Sequence, residues 1–139
     1  MSELTVTDRL AIQETLYRYC HSLDRGRWDD FAALFTPDCC LDLSQVLGVY
    51  EGAAGIRQFC ETMRAVGIVM RHLVTNIVID GDGEHAHAEA YVLAITGRAG
   101  DTQQQSIGFY ADELLKQNGR WLLHRRRLRL DVPAASPTA

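Results

Sequence analysis

The chain divides into two halves by the period of its apolar positions. In the first half, Ile12, Leu16, Tyr19, Cys20 and Leu23 recur at spacings of three and four, which places them on one stripe of a helix. Thr5 or Thr7 can cap that helix, Asp8 in the first turn complements its dipole, and Gly26 marks its end. A short second helix is expected to bury Trp28, Phe31, Leu34 and Phe35, with "TPD" at 36–38 stopping it and "CCLDL" at 39–43 forming a strand. In "AAGIRQFCETMRA" at 53–65, Ile56, Phe59, Cys60 and Met63 predict a third amphipathic helix.

After Gly67 the period changes. "RHLVTNIVID", "HAHAEAYVLAIT", "QSIGFYADELLKQ" and "RWLLHRRRLRLDV" are strand-like, and "GDGE", "GRAGD" and "NG" separate them as turns. Helices followed by a meander predict an α+β fold, in which a curved antiparallel sheet packs on three N-terminal helices. A cone of that kind can enclose an apolar cavity suited to a small hydrophobic molecule. The expected organisation is one domain over 1–132 and a disordered tail, "PAASPTA", at 133–139.

Composition narrows the function. The chain has 139 residues, of which 47% are hydrophobic and 23% charged, enough for one sizeable core. A net charge of −4 offers no electrostatic footprint for nucleic acid, and no apolar run is long enough to cross a membrane. The acidic, polar start "MSELTVTDRL" is unlike a signal peptide, so a cytoplasmic protein is expected. Cys20, Cys39, Cys40 and Cys60 lack C-x-x-C spacing and read as reduced, buried thiols.

Strand alternation sorts the polar candidates. On the last strand, Trp121, Leu123, Arg125, Arg127 and Arg129 share one face, and Leu122, His124, Arg126, Leu128 and Leu130 the other. Arg126 is thereby set apart among leucines, either in a buried ion pair or as a cation serving a pocket. His72 shares a face with Val74, Asn76 and Val78. Asp24, at the unfavourable negative end of the first helix, could accept a hydrogen bond from its imidazole. Tyr19 and Tyr17 are both candidates for a phenol donor, Tyr19 on the buried stripe and Tyr17 less so. Leu16, Phe31, Val74, Asn76, Tyr91 and Leu128 are the expected substrate-binding walls.

Other motifs carry less. His85 and His87 form an H-x-H pair without an evident third ligand, so no metal is expected. "GAAG" at 52–55 lacks the βαβ setting of a phosphate loop, and neither G-x-S-x-G nor H-E-x-x-H occurs.

Taken together, "AIQETLYRYCHSLDRGRWDDFAALFTPDC", Gly52 with "GIRQF", "RHLVTN" and "GFYADELLKQNGRWLLHRR" resemble the SnoaL-like branch of the nuclear transport factor 2-like superfamily over nearly the whole chain. The sequence is most similar there to the cofactor-free lyases: scytalone dehydratase, lindane dehydrochlorinase and bile-acid dehydratase. The resemblance implies a cone of curved sheet and an Asp–His dyad at Asp24 and His72. It further implies a tyrosine at Tyr19 and an arginine at Arg126 as catalytic groups, with no cofactor. Its implied chemistry is β-elimination, most simply dehydration, on a steroid, polyketide or aromatic compound, in a homodimer or homotrimer. The same superfamily holds ketosteroid-isomerase-like isomerases, polyketide cyclases, dioxygenase small subunits and plain ligand binders, which are the alternatives.

Overall fold

The computed structural model describes residues 3–133. In chain order the elements are α1 (Val6–Asp24), α2 (Trp28–Ala32), β1 (Phe35–Leu43), β2 (Gly48–Glu51), α3 (Gly52–Val66), β3 (Val69–Gly81), β4 (His85–Gly97), β5 (Gln104–Gln117) and β6 (Arg120–Val132). The six strands form one curved sheet in the order β2-β1-β6-β5-β4-β3, with the helices on its inner face. The meander β3–β6 is antiparallel, and β1 joins it parallel to β6. The expected α+β architecture is the one observed. The tail expected to be disordered lies, from residue 134 on, outside the described residues. Among the described residues no helix is long and apolar enough to cross a membrane.

Helix α1 begins with a reciprocal capping box. The Asp8 backbone N–H donates to Thr5 Oγ1 at 3.0 Å, and the Thr5 N–H donates to Asp8 Oδ2 at 3.1 Å. The other oxygen of Asp8 accepts from Trp121 Nε1 at 3.0 Å and Lys116 Nζ at 3.1 Å, so this carboxylate also ties α1 to the sheet. The stripe Ile12, Leu16, Tyr19, Cys20 and Leu23 is buried, as its spacing predicts. Phe31 packs on Tyr19 and on Phe59 of α3, at centroid separations of 5.0 and 5.3 Å. At Gly55 in α3 a Cβ would lie 2.8 Å from the backbone of Tyr50, so only glycine lets this helix approach β2 so closely.

Three local expectations need correction. "TPD" does not stop a helix: α2 ends at Ala32, and these residues lie inside β1. β2 is a short strand paired with β1 that had no clear signature. Strict alternation also fails twice. In β3 the register shifts between Thr75 and Val78, where Asn76 adopts φ 54°, a left-handed conformation that asparagine tolerates better than most residues. Met70 and Val74 face inward before this bulge and Ile79 after it, so Asn76 and Val78 end up exposed. In β6 the register steps from Leu123 to Arg125 and leaves His124 as the extra residue. Trp121 and Leu123 therefore point inward with Arg126, away from exposed Arg125, Arg127 and Arg129.

Candidate active site

The sheet and helices enclose an apolar cavity of about 230 Å³. Leu23, Phe59, Met63, Met70, Val92 and Leu128 supply much of its wall, and half-exposed Val46 and Leu47 of the β1–β2 turn stand at its edge. Four polar side chains interrupt the apolar lining beside the phenol of Tyr110: Tyr19, His72, Thr96 and Ser106. The turn is tied down where Gln45 Oε1 accepts from the Leu130 backbone N–H at 2.8 Å.

Asp24 and His72 meet although 48 positions separate them. The Asp24 carboxylate accepts twice from one residue: from the His72 backbone N–H at 2.7 Å and from ring Nδ1 at 2.5 Å. The side chains are 6% and 13% exposed, so this contact is largely shielded from water. Two donors compensate a carboxylate placed at the negative end of α1. A carboxylate on Nδ1 selects the Nδ1–H tautomer and leaves Nε2 with its lone pair free. The two hydrogen bonds hold the edge of β3 and fix the orientation of an imidazole that lines the cavity.

Tyr19 and Tyr110 lie together deep in the cavity wall, ring centroids 5.8 Å apart. The Arg126 guanidinium carbon lies over both rings, 4.2 Å from the Tyr19 centroid and 3.8 Å from that of Tyr110. Its Nε and one terminal nitrogen each donate to Asp112 at 2.8 Å, a bidentate pair with both side chains fully buried. Burial works against the charge on Arg126, but Asp112 outweighs it and holds the guanidinium protonated. Burial raises the Asp112 carboxyl, and Arg126 opposes that rise. Nη1 of Arg126 is the one buried side-chain polar atom without a hydrogen-bond partner among the described residues. Burial pushes the Tyr19 phenol up to about 12, against the opposing charge of Arg126, and raises Tyr110 well above the ordinary range. Both phenols are thus neutral O–H donors at physiological pH.

Of the residues singled out in the sequence, Tyr19, His72 and Leu128 line the cavity and Asp24 stands directly behind His72. Arg126 is 1% exposed and stands behind the two tyrosines, with no place on the cavity surface. Leu16, Phe31 and Val74 are packed in the core and do not line the cavity. Asn76 is carried outward by its bulge. Tyr91 is 62% exposed on the outer face, because the inward positions of β4 are its neighbours Ala90 and Val92. Tyr110, Met70 and Val92 were overlooked. Alternation with Asp112 and Leu114 could have found Tyr110, and alternation with Ala86, Ala88 and Ala90 could have found Val92. The four cysteines are free; Cys20, Cys39 and Cys60 are buried as expected, whereas Cys40 is only partly buried. Burial pushes the Cys20 thiol up to about 11, so it packs beside the site as a neutral group.

A cone of sheet closed by helices, with a buried carboxylate–imidazole pair on the wall of an apolar cavity, defines a small-molecule domain of the nuclear transport factor 2-like type. The chain belongs to the SnoaL-like domain family, whose model matches residues 4–127. An uncharacterised protein of Mycobacterium tuberculosis is 28% identical over 128 residues, covering 91% of this chain and 87% of the relative. Two solved structures from Novosphingobium aromaticivorans are similar throughout. One, provisionally assigned as an aromatic ring hydroxylase, is 29% identical with a TM-score of 0.86 and covers 94% of each chain. The other, provisionally assigned as a scytalone dehydratase, is 27% identical with a TM-score of 0.82, covering 95% of this chain and 93% of its own.

Proposed function

We propose that the protein is a cofactor-independent lyase that carries out dehydratase-type β-elimination on a small hydrophobic carbonyl or hydroxy compound. The observation that carries this reading is the double hydrogen bond from His72 to Asp24 on the wall of a cavity that also presents the Tyr19 phenol. His72 Nε2 removes a proton from carbon, most readily one acidified by an adjacent carbonyl. The C–H electron pair becomes the new C=C bond as the C–O bond on the neighbouring carbon breaks. Tyr19 donates its proton to the departing hydroxyl, which leaves as water, and recovers it from His72 or solvent. A neutral phenol suits this step, since a phenolate has no proton to give. Arg126 acts through the tyrosines as a positioning residue, because it stands behind them and is wholly enclosed.

The cavity volume narrows the substrate. About 230 Å³ lies below the roughly 300–1,000 Å³ of drug-sized sites. A compound with one or two rings fits inside, and the further rings of a steroid would protrude past Val46 and Leu47. The exposed Leu73, Tyr91 and Ile107 on the outer sheet face support assembly as a homodimer or homotrimer, which light scattering would measure.

The test is a panel of one- and two-ring β-hydroxy ketones, followed for loss of water and growth of enone absorbance. Loss of a general base costs about 10²–10⁴ in rate, so His72→Gln is expected to fall by that range. Asp24→Asn should fall nearly as far and move the His72 ring between tautomers in its ¹⁵N spectrum. Exchange of substrate hydrogen without loss of water would instead identify an isomerase. Undiminished turnover in His72→Gln would remove the basis of this mechanism.

A further inference from the structure

The H-x-H pair acquires in the fold the third ligand that the sequence did not reveal. His85 and His87 are two apart on β4 and therefore point to the same outer face of the sheet, where their rings meet edge to face at 4.8 Å. Glu113 of β5 is the cross-strand partner of His87. One donor atom from each of the three lies within 4.8 Å of the others.

We propose that His85, His87 and Glu113 form a binding site for a divalent transition-metal ion, separate from the cavity and independent of the lyase reading. Two imidazoles and a carboxylate suit zinc, nickel, cobalt or copper better than calcium or magnesium, which prefer all-oxygen shells. Ligands about 2.0–2.2 Å from a tetrahedral zinc stand roughly 3.3–3.5 Å from one another, so the observed spacing closes by rotation of side chains that are exposed or half-buried. No other side chain holds the two imidazoles or Glu113 in a hydrogen bond or ion pair among the described residues. The register places Arg125 beside Glu113 and Asp80 beside His87, yet neither forms an ion pair within 4.0 Å there. The ion would cross-link β4 to β5, and an open depression bordered by His87, Glu89, Glu113 and Arg125 leaves its remaining position to water or a small anion.

The experiment is calorimetric titration of the full chain, stripped with chelator, by Zn²⁺, repeated with Co²⁺ and read by absorbance. The expected result is one ion per chain, a rise in melting temperature with Zn²⁺, and a cobalt spectrum without a thiolate charge-transfer band. His87→Ala and Glu113→Gln should each weaken binding at least tenfold and lose the zinc-dependent rise. His72→Gln should bind as the wild type does, which separates this site from the cavity dyad. Melting in chelator checks that the variants fold. Absence of Zn²⁺ binding at millimolar concentration, or equal binding by the His87 and Glu113 variants, would overturn the proposal.

Discussion

At Arg126 two demands meet, because a guanidinium is attracted to the faces of phenol rings but is costly to enclose. Asp112 resolves the conflict with two short hydrogen bonds, so the cation is retained where its face can orient Tyr19 and Tyr110. Removing one member of a buried pair strands the other and costs about 3–5 kcal/mol. Arg126→Met is therefore expected to lower the urea midpoint sharply. Arg126→Met combined with Asp112→Leu should recover most of that loss while kcat remains depressed and KM changes little. Recovery of kcat together with stability would reduce the arginine to a packing role. That Arg126 stands apart from the neighbouring arginines was legible in the sequence. Its partner was not, since Asp112 meets it across the β5–β6 ladder, 14 positions away.

Among the elements, α1 is fastened at both ends by carboxylates that reach the sheet. Asp24 holds β3 at the C-terminal end, and Asp8 holds β5 and β6 at the N-terminal end. The Trp121 N–H, followed by the Thr5 and Lys116 donors, keeps the Asp8 carboxyl well below the usual carboxylate range. The folded state consequently binds fewer protons than the unfolded one, and stability rises with pH through the acid region. This contribution is complete above the unfolded carboxylate range, near pH 4–5, and is lost as pH falls toward the folded value. Urea midpoints at pH 7 and pH 3 should show wild type losing more than Asp8→Asn, with the two converging in acid. An equal gap at both pH values would mean that the charge on Asp8 contributes nothing.

For the whole molecule, the cavity is unfilled core volume kept open by aromatic and sulfur-bearing walls. Ala94 of β4 borders it. Ala94→Phe is expected to occupy the space, abolish turnover and ligand binding, and leave the melting temperature equal or higher, because filling a void restores dispersion contacts. Activity that survives this substitution would place the reaction outside the cavity.

Local chemistry was enough to specify the three helices, the four long strands and the α+β order, since these follow from periodicity, caps and turn residues acting over a few positions. The same patterns, with the family resemblance, singled out Tyr19, Asp24, His72 and Arg126. Bulges at Asn76 and His124 each reverse an alternation, and nothing in the neighbouring residues announces such a shift in register. For that reason Trp121 and Leu123 changed face. Tyr91 is a different case, because β4 alternates regularly there and consistent use of its pattern already places Tyr91 outward. Contacts across the sheet settled the rest: Asp112 on Arg126, Trp121 on Asp8, and Glu113 beside His87. Such pairings are fixed by strand register and helix docking, which bring together residues that local sequence rules treat as strangers.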